Sequence, residues 1–509
     1  MKLADIFTDH MVLQAGKKIV LFGTGKGEGK IEFLGKEYNI HSGEDEWSIT
    51  LPPEKYCGPV EMKVILNGKK RIIRDIYIGE VWFAGGQSNM EMPLFRAENG
   101  FDDAKKSDNN MIRFYTAPRR AEKNTVSYGW HFEKTISDDS SWKVCCEETA
   151  LHFSAIGFYI AQFLHKRLNI AVGVISCNWG GREIECFIKR EYFCNSNILK
   201  PIIDDYNKRI SDIEPEKYKL DFKNDLNRLK KFYESIDYDE VEQAREIGLM
   251  ATSGLPGEIP DFTYGIYDTH TPGSLYDSMI EPIVPFQFKG VMWYQGETAN
   301  GCNYYDKCKV FIQCMRDVFK DAHLPFYIVE LASFHDISEI EVPDRFVTDK
   351  RNWAFTREDQ QRVADEDENA HVVTSMGLGD LYDIHPPRKK ELSKRITKSI
   401  MKYSYGAYEY ADHPRYESVE FKDGKAYVTL KNADGLFAKR LGNVKMYIAD
   451  ESKQLKRAII EICNNTLVLY SDEVANPQLV RYGFDCYYSG CHIYNKAGLP
   501  LAPFRTDKY

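Results

Sequence analysis

The segment Gly85-Gly86-Gln87-Ser88-Asn89-Met90 follows the apolar run Ile78-Gly79-Glu80-Val81-Trp82-Phe83-Ala84. The run reads as a buried strand. A small-residue turn at its end lifts a serine hydroxyl to where a carbonyl carbon could meet it. The usual Gly-x-Ser-x-Gly elbow is absent, because Ser88 is followed by Asn89-Met90. A serine hydroxyl is a poor nucleophile near neutral pH and needs an adjacent base, most often histidine. Asp380-Leu381-Tyr382-Asp383-Ile384-His385-Pro386-Pro387 offers one. Its prolines keep His385 on a loop, and a helix is predicted to begin only near Lys390. A carboxylate beside the ring would hold the imidazole tautomer and stabilise the imidazolium. Asp383 and Asp380 both qualify, and a backbone carbonyl in their place would leave a Ser–His dyad. Asp412-His413-Pro414 has a similar look, but nothing else catalytic surrounds it, so His413 is read as a linker residue.

Acyl transfer also needs donors aimed at a developing oxyanion. Two further segments supply candidates: Cys177-Asn178-Trp179-Gly180-Gly181-Arg182-Glu183-Ile184-Glu185 and Val291-Met292-Trp293-Tyr294-Gln295-Gly296-Glu297-Thr298. Each follows an apolar β-type run, residues 171–175 and 288–293, and each breaks at glycine and polar residues. Strand followed by polar loop, repeated along a chain, gathers the loops at the carboxyl edge of a parallel sheet. There the N–H of Ser88, an N–H at Gly180 or Gly181 and the Gln295 amide are the candidate donors. Losing one such donor typically costs about 3 kcal/mol of transition-state stabilisation.

These motifs, in this order, resemble the sialate O-acetylesterase family within the SGNH-type hydrolases. The resemblance runs from Ile6-Phe7-Thr8-Asp9-His10-Met11-Val12-Leu13-Gln14 through Gly79-Glu80-Val81-Trp82, Gly86-Gln87-Ser88-Asn89-Met90-Glu91-Met92-Pro93 and Trp179-Gly180-Gly181. It continues in Ser274-Leu275-Tyr276-Asp277-Ser278-Met279-Ile280, Trp293-Tyr294-Gln295-Gly296-Glu297, Arg357-Glu358-Asp359-Gln360 and Asp383-Ile384-His385-Pro386. It implies an α/β, SGNH-like (flavodoxin-like) parallel-sheet hydrolase domain. It also implies an esterase that removes acetyl groups from sugar hydroxyls with no metal or organic cofactor. Ser88 matches the family nucleophile and His385 its base. O-acetylated sialic acid is the expected substrate, with acetylxylan or another neutral sugar ester as the alternative. A carbohydrate-binding protein on an esterase scaffold is the non-enzymatic alternative.

Three positions depart from the family pattern. An Asp is common three residues before the histidine, where this chain has Tyr382; an acid is common in the preceding strand, where it has Ser375-Met376-Gly377-Leu378-Gly379. A small residue usually follows the paired glycines, where it has Arg182. A guanidinium there would bind a substrate carboxylate bidentately, or else pair with Glu183 or Glu185. Gln87, Asn89, Trp179, Arg182, Glu297 and Arg357 are the candidate substrate-binding residues. Glu297 is also placed to buttress the oxyanion loop or to bond Arg357. Trp179, Trp293, Tyr294 and Tyr382 are candidate sugar-stacking platforms.

At 509 residues the chain is too long for one ordinary core. Periodicity suggests an N-terminal β-sandwich-like module over 1–75, with Asn67-Gly68 as a hairpin turn. The esterase domain spans 76–408 and carries a helical insertion at about 192–268, where Leu220, Phe222, Leu226, Leu229 and Phe232 recur at near-helical spacing and the segment either borders the cleft as a lid or lies remote from it. A β-rich module follows over 409–509, with Asp423-Gly424 as a turn. A net charge of −9 argues against a nucleic-acid or anionic-membrane surface, and no apolar run is long enough to span a bilayer. The resemblance implies an acetylated sugar as the partner, and no motif specifies an oligomeric state. The N-terminus enters the first motif directly, leaving no room for a signal peptide, so a cytoplasmic location is expected. Twelve cysteines without a Cys-x-x-Cys fit reduced thiols. The six-residue spacing of Cys302, Cys308 and Cys314 does not gather a zinc site.

Overall fold

The computed structural model describes residues 1–118, 120–122, 125–126, 140–235, 265, 268–299, 303–334, 353–407 and 410–507. The chain divides into two compact units, one of Met1–Thr298 and Asp306–Phe326, the other of Ala299–Tyr305 and Tyr327–Tyr509.

The first unit is organised by one long strand, Lys69–Gly86. Its first half pairs antiparallel with Cys57–Leu66 across Asn67 and Gly68, both with left-handed backbone, as a tight hairpin requires. Its second half becomes the centre of a sheet ordered Lys143–Cys145, Asn109–Thr116, Val172–Asn178, Lys69–Gly86, Gly290–Tyr294. The Lys143–Cys145 pairing is antiparallel and the others are parallel. Burial follows the change of partner. From Lys69 to Asp75 Ile73 is the one buried residue, and every residue from Ile76 to Gly86 is buried, as in a parallel strand covered on both faces. The expected boundary after residue 75 therefore falls inside a continuous strand. The N-terminal sheets share the first unit with the α/β sheet.

Those sheets comprise Ile19–Thr24 between Lys2–Leu3 and Glu46–Leu51, and Gly27–Phe33 between Lys36–Ser42 and Cys57–Leu66. Leu21, Ile31, Ile40, Trp47, Met62 and Val64 are buried. On the α/β side, helix Ala155–Leu168 is capped by the Ser154 hydroxyl, which accepts the Gly157 N–H at 3.1 Å. It buries Ile156, Phe158, Ile160 and Leu164. The expected insertion begins with helices Lys200–Ile210 and Pro215–Glu234. Ile203, Tyr206, Tyr218 and Phe222 are among the buried side chains of these helices, whereas Leu220 is 59% exposed. Residues 236–264 and 266–267 of that insertion lie outside the described residues.

The second unit holds most of strand Phe326–Val329, its neighbour Ala370–Val373, and helices Trp353–Glu366 and Lys389–Tyr405. The β-rich module belongs to the same unit, so the expected boundary at 408 is not where the chain divides. It is a sandwich of two four-stranded sheets. One is Arg415–Lys422, Lys425–Lys431, Thr466–Tyr470 and Ile459–Cys463; the other is Lys456–Arg457, Met446–Ala449, Leu479–Tyr482 and Phe504–Arg505. Val428, Leu430, Met446, Ile448, Leu467, Leu469 and Val480 form the shared core. The expected turns are present: Asp423-Gly424 closes one hairpin with both residues left-handed, and Asn464 does so in the next.

Three histidines are packed inside this second unit. His413, read from sequence as a linker residue, is 3% exposed with Nε2 3.2 Å from the Gln361 amide nitrogen, so that imidazole nitrogen must accept. Burial pushes the His413 pKa well below 6.5, and pushes His371 and His492 each down to about 4. Unfolding frees these rings to protonate near 6.5. The unfolded chain then binds more protons than the folded one between pH 6.5 and 4. Their contribution to stability is complete above 6.5 and is lost as pH falls toward 4. Calorimetry is expected to show the unfolding midpoint of this unit falling across that interval, with a shallower fall in His492→Gln.

Candidate active site

Asn178 and Tyr294 are both in register with Gly86, so the loops after three neighbouring strands leave the sheet edge level with one another. Two hydrogen bonds continue the ladder by one residue: Gln87 N–H to Tyr294 O at 3.1 Å and Trp179 N–H to Gly86 O at 3.0 Å. Gly86 has φ 143, and a Cβ there would sit 2.0 Å from the Tyr294 carbonyl oxygen. Glycine is therefore obligatory at this position. The chain then turns into the four-residue helix Ser88–Glu91, which Ser88 opens; Ser88 is 9% exposed.

Of the four expected oxyanion donors, two are used internally. The Gly180 N–H donates to Glu91 Oε2 at 2.7 Å. The Gln295 amide donates to Arg182 O at 3.2 Å and Thr298 Oγ1 at 3.3 Å. The two commitments have the same cause. Loops with little regular structure must satisfy their buried polar groups from neighbouring loops. Among the described residues, neither the Ser88 N–H nor the Gly181 N–H makes a hydrogen bond. Gly181 has φ 70 and open space around its missing Cβ.

The expected substrate-binding set divides in a similar way. Gln87 Oε1 accepts the Gly296 N–H at 3.1 Å, and Asn89 Nδ2 donates to Glu297 Oε1 at 2.7 Å. Gln87 and Asn89 are 2% and 1% exposed, so both are framework rather than substrate contacts. Glu297 buttresses the serine helix. Trp179 is buried, with the Arg182 guanidinium over its ring. Arg182 Nε donates to Thr269 Oγ1 at 2.7 Å and Nη1 to Gly180 O at 3.3 Å. Glu185 pairs with Lys307, and Glu183 with His270 at 3.0 Å. Burial raises the Glu183 carboxyl, but the His270 hydrogen bond and the charges of His270 and Arg182 outweigh this and hold it below the usual carboxylate range.

In the second unit, the His385 loop is built from two turns in which aspartate side chains accept backbone N–H groups. Asp380 Oδ1 accepts from Tyr382 at 2.8 Å and Asp383 at 3.1 Å, and Asp383 Oδ1 accepts from the His385 N–H at 2.8 Å. The same Asp383 oxygen lies 3.9 Å from His385 Nδ1, an ion-pair separation longer than a hydrogen bond. His385 is 7% exposed. Arg357 corrects another expectation: it is 1% exposed on helix Trp353–Glu366, and its guanidinium donates to the Asp485 carbonyl. Among the stacking candidates, Trp293 and Tyr294 are core residues and Tyr382 is 61% exposed. Glu91, Thr269 and His270 were not singled out by sequence. Glu91 sits inside the serine motif, whereas Thr269 and His270 lie far along the chain from the residues they hold. Among the described residues no group of three or more His, Cys, Asp or Glu could hold a metal ion, and no helix is long and apolar enough to cross a membrane. Cys302 lies outside the described residues, and the other eleven cysteines are free thiols.

A family model for "carbohydrate esterase, sialic acid-specific acetylesterase" matches residues 230–402, a span that contains Gln295, Glu297 and His385. Human sialate O-acetylesterase is 22% identical over 552 residues, covering 99% of this chain and 92% of the human protein. The Rattus norvegicus sialate O-acetylesterase is likewise 22% identical, covering 99% and 94%. These matches support the sialate O-acetylesterase family for this chain. The chain is a carboxylic ester hydrolase. The crystal structure of a carbohydrate acetylesterase from Xanthomonas citri superposes with a TM-score of 0.76 at 24% identity, covering all of both chains. That likeness, with the parallel sheet above, makes the fold α/β and SGNH-like with added β-rich modules.

Gly86 and Gly181 give a paired test. Gly181→Ala meets no neighbour and carries the strain of a left-handed residue, about 1–2 kcal/mol. Gly86→Ala must also displace Tyr294 from the sheet edge. Thermal unfolding is expected to show a clearly larger loss for Gly86→Ala, accompanied by loss of esterase activity.

Proposed function

We propose that this esterase removes O-acetyl groups from sugars, with O-acetylated sialic acid as its substrate, through an acyl-enzyme formed on Ser88. The observation that carries the reading is the level sheet edge, which sets Ser88 at the mouth of three loops with the N–H groups of Ser88 and Gly181 uncommitted. His385 takes the Ser88 proton as Oγ attacks the acetyl carbonyl carbon. The Ser88 and Gly181 N–H groups receive the oxyanion. The His385 imidazolium then protonates the departing sugar oxygen, leaving Ser88 acetylated. Water, giving its proton to His385, attacks the acetyl carbon, and acetate leaves as Ser88 recovers its hydrogen. Arg182 supplies the cation for the substrate carboxylate, with its Nε and Nη1 anchored on Thr269 and Gly180.

The test is acetate release from O-acetylated sialic acid and from acetylated xylo-oligosaccharides. Wild type is expected to act on the first, and Ser88→Ala to lose turnover while keeping its fold. Arg182→Ala is expected to raise KM for the acidic sugar and not for a neutral ester. Activity confined to the neutral sugars would replace the substrate, and near-normal turnover by Ser88→Ala would sink the mechanism.

Asp383 is the proposed orienter of His385, because its carboxylate oxygen lies 3.9 Å from the ring nitrogen Nδ1. Asparagine preserves either turn, since its side-chain oxygen still accepts the backbone N–H, and removes only the charge. Asp383→Asn is expected to lower kcat by about a hundredfold or more, and Asp380→Asn far less. Equal effects in steady-state kinetics would reject that assignment.

A further inference from the structure

The short helix that presents Ser88 also carries Glu91, a carboxylate for which the acyl-transfer scheme has no use. Its side chain is 3% exposed. Burying a carboxylate is costly unless it is well hydrogen-bonded, and a plain turn after a strand needs no acid. Glu91 Oε2 takes the Gly180 N–H at 2.7 Å, so the acid reaches across to the neighbouring loop.

That bond has a directional consequence. The Trp179 N–H is held by Gly86 O, and the Gly180 N–H by Glu91. The next peptide plane joins the Gly180 carbonyl to the Gly181 N–H. Its carbonyl accepts from Arg182 Nη1 at 3.3 Å. In a trans peptide the C=O and N–H point in opposite directions, so the Gly181 N–H is aimed away from that guanidinium. Glu91 holds the peptide plane before it, and Arg182 holds this one. Gln87 and Asn89, on either side of Ser88, hold the third loop through Gly296 and Glu297.

We propose that Glu91 is a positioning residue for the oxyanion site: by binding the Gly180 N–H it fixes the adjoining peptide, so that Gly181 supplies this loop's donor to the acyl oxygen. The proposal rests on the Ser88 acyl-enzyme reading. It makes Glu91 a hydrogen-bond acceptor whose charge is incidental, and it places the effect on the transition state rather than on sugar binding.

The full-length chain with Glu91→Gln, Glu91→Asp and Glu91→Ala tests it, using p-nitrophenyl acetate turnover and the rate of covalent labelling by an alkyl fluorophosphonate. In labelling, the serine oxygen displaces fluoride from phosphorus, and the phosphoryl oxygen needs the same donors but no sugar. Glu91→Gln keeps an acceptor and is expected to retain kcat within about threefold, whereas Glu91→Ala is expected to lose kcat and labelling rate together by about a hundredfold with KM little changed. Glu91→Asp, whose acceptor is withdrawn by one methylene, should fall between them and decides the matter if the alanine variant does not fold. A folded Glu91→Ala with wild-type kcat and labelling overturns the proposal. A Glu91→Gln as impaired as Glu91→Ala overturns it as well, because charge rather than acceptance would then matter. Labelling that survives in Ser88→Ala overturns the underlying nucleophile assignment, a failure recognisable without any Glu91 variant.

Discussion

The contact on which the site depends is the close approach of Gly86 to the Tyr294 carbonyl. No side chain fits between them, so the central strand and its neighbour finish at the same height. Asn178 finishes level on the other flank. A slip of one residue in either pairing would turn each side chain to the opposite face and carry the following loop off the edge. Catalytic geometry in the first unit is thus inherited from backbone register, and the loops need only short side-chain ties to complete it.

Those ties are buried and polar, which is an expensive way to hold loops together. An unpaired amide or carboxylate in such a place would cost more than the bond returns, so each group is worth keeping only while its partner stays. Gln87 with Gly296, Asn89 with Glu297, Glu91 with Gly180 and Gln295 with Arg182 form a lattice of this kind around Ser88. A lattice of directional bonds specifies one arrangement of three otherwise irregular loops, which apolar packing alone would leave loosely defined. The His385 loop obtains the same rigidity locally, from two aspartate-closed turns and the prolines that follow them.

Much of this was legible in the chain. The apolar runs that end in glycine at 84–86, 175–181 and 293–296 announced three strands and three loops, because a strand buried on both faces admits few polar residues. What sequence could not convey was the partner of each polar side chain. Glu91 and Gly180, or Asn89 and Glu297, meet only after the sheet has brought distant segments together. Arg357 read as a substrate-binding candidate through the motif that carries it, yet its helix turns it inward to the Asp485 carbonyl. Leu220 misled as well: its spacing is helical, but it is 59% exposed whereas Tyr218 and Phe222 are buried. The boundary after residue 75 was marked by a real change of pattern, from a largely exposed stretch of strand to continuous burial. A single strand crossed it by exchanging an antiparallel partner for parallel ones.

That strand also sets an order of events during synthesis. Its hairpin partner, Cys57–Leu66, emerges from the ribosome just before it, so the N-terminal half can pair at once. Residues 77–79 can also take Val12–Gln14 as a parallel partner, whereas residues 80–86 must wait, first for Val172–Asn178 and then, much later, for Gly290–Tyr294. Until both arrive, an apolar segment with unpaired edges is on offer to any other nascent chain. The N-terminal strands thereby anchor one end of this apolar strand while the rest of its sheet is still being made.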